Sequence, residues 1–129
     1  MVWLGLITIF ALVEYMVLGV LVGWARVKYE VAAPATTGDP MFERYFRVHQ
    51  NTLEALIVFV PALWVFGRFV NVQAAATLGA LFLLARVVYA IGYLWDPAKR
   101  TVGAGATVII NGMLLAGSLL GLTVYALYH

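Results

Sequence analysis

Arg47, Asn51 and Glu54 recur at i, i+4 and i+7 within one strongly apolar stretch. Arg86, Tyr89 and Tyr93 recur at i, i+3 and i+7 within another. Either spacing places its three polar groups on a single helical face. Ionisable groups at membrane depth are expensive; they ordinarily face a protein interior and mark a site. Arg26, Arg47, Arg86 and Arg100 are expected to converge near one end of the molecule, with Glu54 the only acid deep in that zone. Pairing of Glu54 with Arg86, with Asn51 bridging two helices, would account for some of these groups without a ligand. The arginines nevertheless outnumber their acidic partners. A surplus of guanidinium groups suits a small zwitterionic ligand that carries carboxylates.

The elements that must hold these residues are legible in the hydropathy. The chain has 129 residues, is 64% hydrophobic and 11% charged, and its mean hydropathy is +0.96. A soluble domain of this size could not cover so much apolar surface, so the composition indicates an all-α integral membrane protein. A formal net charge of +2 gives no basis for a nucleic-acid partner. Cysteine is absent, which excludes disulfides, a thiolate metal site and a thiol nucleophile of the protein's own. Any sulfur chemistry must use a thiol brought by a ligand, and no metal is expected.

Four helices are expected over about 2–24, 40–70, 73–95 and 102–128, in a single domain covering 1–129. Each apolar segment approaches or exceeds the ~20 residues needed to cross a bilayer core. The first segment has no basic leader and no convincing cleavage site, and reads as a retained spanning helix. Asp39-Pro40 is a good cap and first-turn pair for the second helix. At 1.5 Å per residue that helix is roughly 45 Å long, so its first turns project beyond the ~30 Å hydrocarbon layer. Asn71-Val72-Gln73 is a very short polar break, which makes the second and third helices an antiparallel hairpin. Counting back from it, Glu54 and Tyr89 lie at nearly equal depth, ~25 Å along their helices, and Asn51 lies level with Tyr93. The two polar faces can therefore meet.

Arg26, Lys28, Arg44, Arg47, Lys99 and Arg100 all belong to the first and third connectors or their margins. The positive-inside rule puts those connectors in the cytoplasm and both termini outside. A bacterial inner membrane is the expected location, or an endomembrane in a eukaryote. From Ala55 to Val70 is ~16 residues, too few to span alone, so the span must include Glu54, which should turn away from lipid. Pro61 is expected to kink the second helix, and Asn111 to serve as interhelical glue. Glu14, in the middle of the first helix, resembles the proton-coupled carboxylate of small multidrug transporters. That function is an alternative, but it leaves the arginine and tyrosine groups without a task.

Two stretches resemble signatures of the MAPEG superfamily, membrane-associated proteins in eicosanoid and glutathione metabolism. One is Thr36-Thr37-Gly38-Asp39-Pro40-Met41-Phe42-Glu43-Arg44 followed by Arg47, Asn51 and Glu54. The other is Ala85-Arg86-Val87-Val88-Tyr89-Ala90-Ile91-Gly92-Tyr93 followed by Arg100. The similarity is greatest to the leukotriene C4 synthase and microsomal glutathione transferase 2 branch, and it runs from Arg26 to Arg100 without a gap.

The resemblance implies a four-helix subunit of a homotrimer, with glutathione held between subunits near the cytoplasmic membrane face. It assigns glutathione contacts to Arg47, Asn51, Glu54, Tyr89 and Tyr93, and to Arg26 from the neighbouring subunit. Arg86 matches a third-helix arginine with a partly structural role. Arg100 matches the arginine that stabilises the glutathione thiolate. That thiolate would attack a lipophilic electrophile arriving from the lipid bilayer, or reduce a lipid hydroperoxide. Ala55 stands where the branch has a tyrosine contact, and His49 replaces a glutamine contact. A non-catalytic lipid-binding scaffold of the same superfamily is the other alternative, against which Arg100 and the intact arginine set argue.

Overall fold

The computed structural model describes every residue from Met1 to His129. Four long helices make up the chain: α1 (Val2–Lys28), α2 (Pro40–Phe69), α3 (Val72–Trp95) and α4 (Thr101–Tyr128). A short 3-10 turn, Pro97–Arg100, leads into α4. Each helix is long and apolar enough to cross a membrane. The first helix runs one turn further than its hydropathy suggests. Arg26 and Lys28 occupy its last turn, where cations complement the helix dipole. It ends at Tyr29, just before Glu30 adopts a left-handed φ of 56°.

Local chemistry sets the other boundaries. Asp39 caps α2 by accepting from the backbone N–H groups of Met41 (2.8 Å) and Phe42 (3.0 Å). Asn71 caps α3 by accepting from Ala74 N–H at 2.8 Å, so a single short break both ends α2 and starts α3. At the opposite end, Arg44 Nη1 donates to the carbonyls of Leu94 (3.3 Å) and Trp95 (3.2 Å), two of the unpaired acceptors that finish α3.

The helices pack with α2 and α3 at the centre, α1 against one side and α4 against the other. The core is apolar and aromatic, with Leu4, Phe59, Leu63, Phe82 and Leu114 fully buried. Phe59 and Phe82 stack across α2 and α3 with ring centroids 3.7 Å apart. Along α2 and α4 two polar rungs cross the seam. Asn111 Nδ2 donates to Ala55 O at 3.2 Å, and Ser118 Oγ donates to Ala62 O at 3.3 Å. Asn111 is thus the interhelical link its position suggests. On the outside, Val20, Ile57, Leu84, Val108 and Leu119 are exposed, the pattern of a bundle whose solvent is lipid.

Candidate functional site

Arg86 is the hub of the interior. It is 2% exposed, yet it belongs to a helix whose other inward residues are small or aromatic. Its Nη2 donates to Asn51 Oδ1 at 2.9 Å and to Thr52 Oγ1 at 2.7 Å, both on α2. Its Nη1 donates to Thr107 Oγ1 on α4 at 3.3 Å. One guanidinium therefore ties three helices together through neutral acceptors. Both threonines also donate to carbonyls of their own helices, Val48 and Gly103, each at 2.8 Å. Those bonds turn their oxygen lone pairs towards Arg86.

The tyrosines continue the cluster towards the connector end. Arg86 Cζ lies 4.2 Å from the ring centroid of Tyr89, a cation–π distance. Tyr89 and Tyr93 rings are 5.7 Å apart. Arg100 Cζ is 6.0 Å from the Tyr93 ring, at the edge of that range. Arg100 is exposed, and its Nη1 donates to Pro97 O at 2.9 Å within its own 3-10 turn. That single backbone bond leaves most of its N–H groups available.

Two glycines permit this approach. A Cβ on Gly103 would sit 2.5 Å from the backbone N and Cα of Tyr89, so α4 rests directly on α3 where the tyrosine emerges. A Cβ on Gly92 would meet Lys99 O at 2.8 Å, and its absence lets the 3-10 turn fold back over the end of α3.

A cavity of about 430 Å³ opens between α2 and α4, lined by Asn51, Glu54, Ala55, Arg86, Thr107 and Asn111 among others. Its size is that of a small-molecule site. The expected residues thus separate into groups. Asn51, Glu54 and Arg86 line this cavity, and Tyr89, Tyr93 and Arg100 continue from Arg86 as one set. Arg47 is exposed on the outer part of the same α2 face. Arg26 stands apart, donating to Ala35 O (2.7 Å) and Val31 O (3.4 Å) in its own connector and lying over the Phe42 ring.

Asn51 links α2 to α3 through Arg86, whose long side chain reaches roughly 6–9 Å up the bundle. Two expectations for Glu54 need correction. The hydrogen bonds of Arg86 go to neutral groups, its buried Nε has no partner, and none of its donors reaches Glu54. Glu54 does line the cavity, but it is exposed in the single chain and not enclosed by it.

Thr52 and Thr107 were not among the expected site residues. Their signal was present in spacing: Thr52 follows Asn51, and Thr107 precedes Asn111 by one turn. His49 lies in the α1/α2 seam, stacked on Tyr15 at 4.3 Å, and Gly19 leaves room for its ring.

Four membrane-length helices, with arginine and tyrosine side chains gathered at one end, define a small helical membrane protein. Residues 4–120 match the model of the MAPEG family, and the chain belongs to that family. Among its relatives is an uncharacterized protein of Synechocystis sp., 46% identical over 120 residues, covering 93% of this chain and 88% of the relative. Microsomal glutathione S-transferase 2 of Mus musculus is 42% identical over 100 residues, covering 78% and 68% respectively. Leukotriene C4 synthase of Mus musculus is 38% identical over 103 residues, covering 80% and 69%. The protein is accordingly an integral membrane protein.

Proposed function

We propose that this protein is a membrane-bound glutathione transferase, in which the α2/α4 cavity and the adjoining arginine and tyrosine groups bind glutathione and activate its thiol. The observation that carries this reading is the continuous set from Asn51 through Arg86, Tyr89 and Tyr93 to Arg100. Relatives whose names specify glutathione transfer and leukotriene C4 synthesis support it.

The residues take distinct roles. Arg47 and Arg26 meet the carboxylates of glutathione, and Glu54 meets its ammonium. Asn51, Tyr89 and Tyr93 fix its orientation, with Arg86 holding Asn51 in place. Arg100, exposed and joined to the protein by one backbone bond, faces the sulfur. A free thiol near pKa 8.5 is mostly protonated at neutral pH, and an adjacent guanidinium favours the thiolate. The thiolate then forms a C–S bond with a lipophilic electrophile from the bilayer, whose leaving group or opened ring oxygen takes the electron pair. With a lipid hydroperoxide the same sulfur attacks the O–O bond, giving an alcohol and a sulfenic acid, which a second glutathione converts to disulfide and water.

The functional unit in this reading is a homotrimer. Arg26 lies away from its own chain's cavity, and Glu54 is exposed at spanning depth. A neighbouring subunit would supply the first and cover the second. The basic first and third connectors face the cytoplasm and both termini lie outside, in a bacterial inner membrane.

Ultraviolet difference spectroscopy of the detergent-purified protein with glutathione tests the proposal. A thiolate band at neutral pH is expected with the natural chain and not with Arg100→Ala. No band in either, or the same band in both, overturns the assignment of Arg100.

A further inference from the structure

On the other side of Arg86 lies a second cavity, of about 380 Å³, in the groove between α1 and α3. Its walls are apolar, with Phe10, Val17, Leu83 and Ile91 among them, except at two points: Glu14 from α1 and Arg86 from α3. Glu14 is half-buried near the middle of a helix of membrane length. The hydrogen bonds of Arg86 go to Asn51, Thr52 and Thr107; its buried Nε has no partner, and no donor of the hub is spent on Glu14. A carboxylate at that depth without a hydrogen-bond donor is costly, and in such a segment it marks a binding role.

The two charges restrict what can sit there. A carboxylate head would meet Glu14, and an ammonium head would meet Arg86. A neutral hydroxyl is repelled by neither and can donate to the Glu14 oxygens. Apolar walls and a volume of small-ligand size suit a long hydrocarbon body. We propose that the α1/α3 groove is a second ligand site, which takes a lipophilic alcohol whose hydroxyl donates to Glu14. The site shares only Arg86 with the cavity between α2 and α4 and does not depend on glutathione.

Photolabelling of the full-length protein in detergent, without glutathione, tests this. The probes are a hexadecanol carrying a diazirine and the matching diazirine hexadecane. The alcohol should label peptides from 10–18 and 83–91 about threefold or more above the alkane, the advantage of one intramembrane hydrogen bond. Glu14→Leu should remove that preference, and Glu14→Gln, which keeps an acceptor, should retain part of it. Val17→Trp, at an exposed groove position, should lower labelling by both probes and serves if Glu14→Leu does not fold. Equal labelling by alcohol and alkane would reduce the groove to a lipid-filled seam and overturn the proposal. So would better competition by a long-chain amine than by the alcohol, or cross-links showing a second copy of the chain packed on 10–18. Because glutathione takes no part in the measurement, failure here leaves the transferase reading untouched.

Discussion

Arg86 and Arg100 lie on adjoining elements and serve the same cluster, yet their surroundings are opposite. Arg86 is buried and donates to side chains on two other helices. Arg100 is exposed and donates to one carbonyl three residues away. A guanidinium with most of its N–H groups committed to the protein's own side chains holds the fold; one with most of them left over can act on a ligand. Residue type alone does not separate architecture from chemistry in this bundle. The number of donors left over does.

Replacing the hub should break that contrast from the architectural side. Arg86→Leu leaves Asn51, Thr52 and Thr107 without their shared donor, and unfolding in detergent should show a loss of about 2–4 kcal/mol along with loss of glutathione binding. Arg86→Lys should recover only part, because an ammonium lacks the fork that reaches α2 and α4 together. An Arg86→Leu protein as stable as the natural chain would remove the distinction.

From the chemical side, Arg100→Ala should leave the unfolding midpoint nearly unchanged while conjugation turnover at pH 7 falls about 30-fold, the thiolate fraction of a thiol near pKa 8.5. The sign of the pH dependence follows. The variant's thiol has lost the cation that favoured its charged form, so activity should recover as pH rises through about 8.5. A pH-independent deficit would show that Arg100 acts on something other than the sulfur.

Two smaller changes sharpen the geometry between these extremes. Gly103→Ala places a methyl against the backbone of Tyr89, which cannot rotate away, so the overlap outweighs the better helix propensity of alanine. A loss of about 1–3 kcal/mol is expected, with α4 and Thr107 displaced from Arg86. Ser118→Ala removes the lower rung between α2 and α4 and should cost only about 0.5 kcal/mol, measurable against Asn111→Leu in a double-mutant cycle.

Much of this was legible in the sequence, for identifiable reasons. Hydropathy gave the four helices, and Asp39 and Asn71 gave two starts, because capping is local chemistry. The i, i+3, i+4, i+7 spacings gathered most of the polar set, since a helix converts spacing into a face. Partners were less legible. Side-chain reach let Arg86 bypass its level neighbours and find Thr52 and Thr107, and a threonine in an apolar helix looks ordinary until a donor arrives. The placement of His49 against Tyr15 depends on how α1 rotates about its axis, which its near-uniform apolarity does not reveal.

The rungs from α4 to α2 carry one more consequence. Asn111 meets Ala55 and Ser118 meets Ala62, so both steps are seven residues on both helices. The pair works as a vernier that fixes how far α4 can slide along α2. A single residue inserted between Ala55 and Ala62 would advance one rung by about 1.5 Å and rotate it by roughly 100°, leaving only one in register. Within this subunit, sliding α4 lengthwise past α2 breaks both rungs at once, whereas a helix pivoting about one rung breaks only the other.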